Sequence, residues 1–151
     1  QVHQVRVEIE ERLWDRLPIN GAPHPHSFSQ AQRVRPFVHL TQDADSSLIT
    51  SGVRDLIVLK STASGFADYP KCEFTTLPET TDRIFATAIE ASWQWSAEPA
   101  SYTAANAGLI TAMLKPFAEN YSPSVQATIW EMGQAALTAC PQIAQITLAL
   151  P

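Results

Sequence analysis

Leu56-Ile-Val-Leu-Lys-Ser-Thr-Ala-Ser-Gly-Phe66 runs on through Ala67-Asp-Tyr-Pro-Lys-Cys-Glu-Phe-Thr-Thr-Leu-Pro-Glu-Thr-Thr-Asp-Arg83, and the rest of the chain is arranged around this stretch. It opens as a short apolar run rich in branched residues, bounded by Asp55 and Lys60, which reads as a strand buried on both faces. The run breaks into small polar residues, with Gly65 just ahead of an aromatic. Such a break lifts Phe66 out of the sheet and presents its ring. Thr75, Thr76, Pro78 and Glu79 form a second loop, and Arg83 opens the next strand. One excursion therefore delivers an aromatic face and ends on a guanidinium. A flat, anionic heteroaromatic ligand would use both, by stacking and by two parallel hydrogen bonds from the arginine fork. Taken alone, the two residues read more simply as a core aromatic and a solvated arginine.

Downstream, residues 83–95 alternate, with Phe85, Thr87, Ile89, Ala91, Trp93 and Trp95 on one face and Glu90, Ser92 and Gln94 on the other. From about Thr103 the period becomes helical, with Leu109, Ile110, Met113, Leu114 and Phe117 on one stripe. Pro116 conflicts with that stripe and predicts a kink or an end near Leu114. A second helix is predicted from Ser122 as N-cap and Pro123 at the first helical position, with Val125, Ile129, Met132 and Ala136 at helical spacing. It ends near Ala139, before Pro141, and Ile143 to Leu150 reads as a last strand. Upstream, residues 1–16 and 26–40 read as two strands joined by turn material around Asn20-Gly21, and 48–60 as a strand bent near Gly52. Strands and helices in blocks predict an α+β fold, an antiparallel sheet with two helices packed on one face.

The 151 residues suffice for one ordinary core, and 45% hydrophobic with 17% charged residues marks a globular chain. A net charge of −5 disfavours nucleic acid or an anionic membrane as partner. Two cysteines, Cys72 and Cys140, are too few for a disulfide framework and read as reduced thiols in an intracellular compartment. No apolar run reaches membrane-span length, and the first residues carry no signal-peptide pattern.

Leu56, Val58, Leu59, Lys60, Ser61, Thr62, Ser64 and Phe66, then Tyr69, Phe74, Leu77 and Arg83 at these spacings, resemble the signature of the urate oxidase (uricase) family. Asn20-Gly-Ala-Pro-His-Pro-His-Ser-Phe28, Ala91-Ser-Trp-Gln-Trp95 and Tyr121-Ser-Pro-Ser-Val-Gln-Ala-Thr128 extend the resemblance over essentially the whole chain. It implies a tunnelling fold, whose unit is two strands, two helices and two strands, used twice. On that template residues 1–42 are the closing strand pair of a first unit. Residues 47–151 are a second unit lacking its last strand, which leaves an unpaired edge beside Ile146, Leu148 and Leu150. The implied activity is oxidation of urate by molecular oxygen to 5-hydroxyisourate and hydrogen peroxide, with no cofactor and no metal. The implied substrate-binding residues are Phe66, stacking on the purine; Arg83, clamping a carbonyl and a ring nitrogen; Val125, through its backbone N–H; and Gln126, through its side chain. The start of a helix favours an anion there in any case, although Val125 and Gln126 alone read as an ordinary helix start.

The family's catalytic lysine, threonine and histidine are expected outside this chain, so no catalytic residue is assigned within it. The resemblance also implies a homotetramer with sites between subunits. It implies peroxisomal location in a eukaryote and cytoplasmic location otherwise, although Leu-Ala-Leu-Pro151 is no peroxisomal address. The alternatives are a catalytically incomplete structural, assembly or purine-binding module and, more weakly, another tunnelling-fold activity on a pterin-like ring. His24 and His26 suggest a metal pair only superficially and are expected to close a hairpin. His3 and His39 have no evident partner. Cys72 stands where the family is expected to carry an acidic residue and reads as a spectator.

Overall fold

The computed structural model describes residues 14–30, 33–42 and 47–151. The predicted strand over 1–16 and the position of His3 therefore lie largely outside the described residues. The elements are β1 (Asp15–Ile19), β2 (Ala22–Ser29), β3 (Arg35–Gln42), β4 (Ser47–Lys60), β5 (Phe85–Trp95), α1 (Tyr102–Glu119), α2 (Val125–Ala139) and β6 (Ile143–Ala149). They form one six-stranded sheet in the order β1-β2-β4-β5-β6, with β3 also paired to β4. All pairings are antiparallel.

Asn20 and Gly21 join β1 to β2 as a two-residue turn, both in the left-handed region at φ 52° and 79°. That is the twist-matched hairpin geometry that Asn-Gly favours. The single returning strand expected over 26–40 is instead two. β2 pairs with the end of β4 and β3 with its beginning, so the long β4 carries both along one edge. Val38 and Leu40 on β3 remain 65% and 62% exposed.

The bend expected near Gly52 falls three residues later. The β4–β5 register shifts between Val53 and Leu56, and Asp55 takes φ 56°. A bulge inserts one residue and so changes which side chains face inward. Ser51 and Val53 point to the helix side before it; Leu56, Val58 and Lys60 do so after it. Ile57 and Leu59 are half-buried, so the run alternates and is not enclosed on both faces. Gly52 is required by close approach: a Cβ there would lie 2.4 Å from both the Ala91 carbonyl oxygen and the Phe37 ring.

Of the face predicted for β5, Phe85, Ile89, Ala91, Trp93 and Trp95 are buried, while Thr87 is half-buried. Both helices lie over this face. Phe85 meets Phe117 edge-on, Trp95 meets Tyr102, and the Trp93 indole N–H donates to Asn106 of α1 at 3.1 Å. The Trp95 indole N–H donates to the Ser51 hydroxyl at 2.9 Å. α2 passes over β6, with Gly133 against Leu148 and Ile146. The outer edge of β6 is unpaired among the described residues.

Two helix boundaries differ from expectation. α1 continues through Pro116 to Glu119. An interior proline costs about 3 kcal/mol, while fully burying a Phe contributes about 2–3 kcal/mol, and Phe117 is completely buried beside buried Ala118. Packing of the last turn thus offsets the lost hydrogen bond. The N-cap of α2 is Ser124, whose hydroxyl accepts from the Ala127 amide, and not Ser122. Ser122 is drawn into contacts with the loop after β4. Arg83 precedes β5, which begins at Phe85.

Candidate functional site

Three segments interlock at the end of the sheet where β4 stops. The turn after Lys60 places Ala63 at φ 60°, so an alanine and not Gly65 takes the left-handed position. The Ala63 amide donates to the Asp82 carboxylate at 2.9 Å, and the Thr62 hydroxyl lies 2.8 and 3.0 Å from its two oxygens. Those bonds hold the Ala63 backbone in a conformation that a β-carbon disfavours. Ser64 then bridges Ser122: the Gly65 N–H donates to the Ser122 carbonyl at 2.7 Å, and the Ser122 N–H to the Ala63 carbonyl at 3.0 Å. On its other side Ser64 accepts from the Arg83 N–H at 2.8 Å and donates its hydroxyl to the Arg83 carbonyl at 2.5 Å. Phe66 and Thr80 exchange both backbone bonds, at 2.7 and 3.0 Å. Residues 62–66, 80–83 and 121–122 form one stitched unit.

This unit brings Phe66 and Arg83 together. The Arg83 guanidinium carbon lies 5.3 Å from the centre of the Phe66 ring, within cation–π range. Phe66 is half-buried and stacks on Tyr69 at 4.5 Å with the planes 16° apart. Tyr69 is fixed in turn by its hydroxyl, which donates to the Leu77 carbonyl. The Arg83 backbone is fully engaged, whereas its Nε is buried without a hydrogen-bond partner among the described residues.

Val125 and Gln126 lie in the first turn of α2, half-buried and exposed respectively. The Ser124 hydroxyl takes the Ala127 amide. The first amides of a helix have no acceptor inside it, and the positive end of the dipole lies there. The backbone joins this turn to the loop through Ser122, whose hydroxyl is also 2.6 Å from that of Thr128 in α2.

Other candidates lie apart. His24 and His26 are on strand β2, not in a turn, and their rings meet edge-on at 4.6 Å. Burial, with His26 and Lys60 nearby, pushes His24 below the ordinary histidine range. Among the described residues no group of three or more His, Cys, Asp or Glu is placed to hold a metal. His39, expected to lack a partner, lies 4.9 Å from the Phe37 ring. Cys72 sits in an exposed turn, its thiol pulled below the usual range by bonds from the Phe74 backbone and the Thr75 hydroxyl. Both cysteines are free thiols. No helix among the described residues is long and apolar enough to cross a membrane.

Sequence reasoning missed three structural partners. Asp82 holds the Ala63 turn, Tyr121 packs against Gly65, and Lys60 is fully buried. Asp82 and Tyr121 both lie inside the motifs quoted above. The clue for Lys60 was its place at the end of an apolar strand.

An antiparallel sheet with both helices on one face defines a tunnelling-fold protein. The Uricase family model matches residues 49–151. The chain is 36% identical over 146 residues to the uricase of Arthrobacter globiformis, covering 97% of this chain and 47% of that protein. It is 36% identical over 157 residues to the uricase of Oryctolagus cuniculus, covering 99% and 52%. The crystal structure of the Arthrobacter globiformis uricase superposes with a TM-score of 0.77 at 37% identity, over 92% of this chain and 47% of that one. A uricase from Bacillus fastidious shares the fold at a TM-score of 0.63 and 18% identity. This chain belongs to the uricase family. It spans about half the length of the curated relatives it matches.

Proposed function

We propose that this chain carries the urate-binding part of a urate oxidase. The overall reaction takes urate, molecular oxygen and water to 5-hydroxyisourate and hydrogen peroxide: the purine loses two electrons, and oxygen gains them with two protons. Within it Phe66 stacks on the purine, Arg83 clamps a carbonyl and a ring nitrogen of the urate anion, and the Val125 amide and Gln126 carboxamide hold the opposite edge. The observation that supports this assignment is the placement of the Arg83 guanidinium 5.3 Å from the Phe66 ring. The negative substrate suits both the guanidinium and the start of α2.

The proton-relaying lysine, threonine and histidine come from outside this chain, no cofactor takes part, and further copies or longer subunits complete the site in a homotetramer. Residues 1–42 then close a first tunnelling-fold unit, and 47–151 form most of a second. The compartment is the peroxisome in a eukaryote and the cytoplasm otherwise. The competing possibility is a purine-binding or assembly module without turnover.

One experiment separates them: loss of urate absorbance with the purified chain, beside calorimetric titration with a non-reactive oxypurine. Binding without turnover, lost in Arg83→Ala, supports the substrate-binding role and places the relay elsewhere. Turnover lost in Arg83→Ala shows that the relay is present after all. Neither binding nor turnover overturns the assignment for this chain.

A further inference from the structure

Lys60 is the last residue of β4 and is 0% exposed, a cation at a core position. The bulge at Asp55 sets this: with the strand phase of Ser51 and Val53 carried on unbroken, residue 60 would face the other side of the sheet. Its ammonium donates to the Asn120 carbonyl at 2.6 Å and lies 5.9 Å from the Phe117 ring centre. Asn120 caps the C-terminus of α1, where the dipole favours a cation. The Asn120 carboxamide donates to Glu131 of α2 at 2.7 Å. Burial pushes the Lys60 ammonium below its ordinary range, and the charge of Glu131 opposes that.

A buried charge is a poor source of stability, since an apolar side chain of similar volume often serves as well or better. What the ammonium supplies is a directed link. Lys60 is the root of the loop that carries Phe66. Asn120 is the root of the connector whose Tyr121 and Ser122 grip that loop and lead into α2. One side chain therefore joins the two roots.

We propose that Lys60 is a positioning residue, which sets the spacing between the Phe66–Arg83 pair and the first turn of α2 so that one planar anionic ring can reach both. This rests on the urate-binding role proposed above, but its first test does not use urate. In Lys60→Met, which keeps the length and apolar bulk, native-state hydrogen exchange at the Gly65 and Ser122 amides is expected to speed up at least about tenfold, with the β4–β5 amides unchanged. The dissociation constant for a non-reactive oxypurine is expected to rise by about tenfold or more. Lys60→Gln, which keeps a shorter donor, should fall between wild type and Met, and decides the matter if the Met variant does not fold. Unchanged exchange at Gly65 and Ser122, or a uniform rise across the sheet with a lowered melting temperature, would overturn the proposal. Wild-type chain that binds no oxypurine would sink the substrate assignment alone, leaving exchange to decide the role of Lys60.

Discussion

Gly65 lies directly against Tyr121: a Cβ at position 65 would sit 2.1 Å from the Tyr121 hydroxyl oxygen and 2.9 Å from the Thr80 carbonyl oxygen. The hydroxyl is itself committed, donating to the Thr81 carbonyl at 2.8 Å. Two residues distant in sequence thus fix how closely the connector before α2 approaches the Phe66 loop.

Gly65→Ala should therefore destabilise by about 1–3 kcal/mol, the usual cost of overpacking. Tyr121→Phe removes one hydrogen bond and should cost about 1 kcal/mol. Because the hydroxyl is the nearest obstacle, the double variant should lose less than the sum of the two. Urea unfolding in a double-mutant cycle reads this coupling, and strict additivity would mean that the close contact is not felt.

Arg83→Lys keeps the charge and discards the planar fork. Oxypurine affinity should fall by about 10-fold or more, since hydrogen bonds to a charged group contribute about 1.5–3 kcal/mol each. Calorimetric titration measures it. An affinity equal to wild type would remove the bidentate role.

Gln126 is exposed, so Gln126→Ala should alter unfolding free energy by less than about 0.5 kcal/mol. Oxypurine binding should nevertheless weaken by about 5- to 10-fold, the size of one hydrogen bond. Equal binding in the two proteins would take Gln126 out of the site.

Ser124→Ala removes the cap of α2 and should cost about 1 kcal/mol. Ser124→Asp, which can accept from the same amide, should restore most of it. Thermal unfolding of the two variants checks this, and no loss in Ser124→Ala would mean that another residue caps the helix.

Glu79 accepts from Lys71 at 2.7 Å and from the Asp68 amide at 3.1 Å, and these bonds, Lys71 first, hold its carboxyl below the usual range. A carboxyl whose folded pKa is depressed contributes above its unfolded value and loses the contribution as pH falls through the folded one. Lys71 is raised by the same partner, so its share is present below the ordinary lysine value and is lost as pH rises through the raised one. The tie should persist between these limits and open on either side. Amide chemical shifts of Asp68 followed across pH report it, and Glu79→Gln should abolish the acid limb. A flat acid limb in the wild type would show that Glu79 does not hold the loop.

Much of this architecture is written in local patterns. The alternation of Phe85 to Trp95, the stripe Leu109, Met113, Leu114 and Phe117, the Asn20-Gly21 turn and the end of α2 before Pro141 follow from periodicity and backbone preference. The spacing from Leu56 to Arg83 carried the family resemblance, and it named Phe66 and Arg83, which the structure brings together. It also misled in places. Ser122-Pro123 is a better cap signal than Ser124, yet Ser122 is held by Ala63 and Gly65, so the cap passes to Ser124. Gly65 looked like the residue that turns the chain, but Ala63 turns it, because Asp82 binds its amide and Tyr121 leaves no room for a side chain at 65.

The sequence by itself thus determined the alternation of β5, the two helices and the family to which the chain belongs, because these depend on spacing along the chain. The tertiary structure alone decided the phase of β4 after its bulge, the survival of α1 through Pro116, the cap of α2 and the burial of Lys60. Each of those depends on contacts between distant positions, such as Lys60 with Asn120, sixty residues on. Local preferences of a few tenths to a few kcal/mol yield wherever packing and paired hydrogen bonds of equal or greater size meet them.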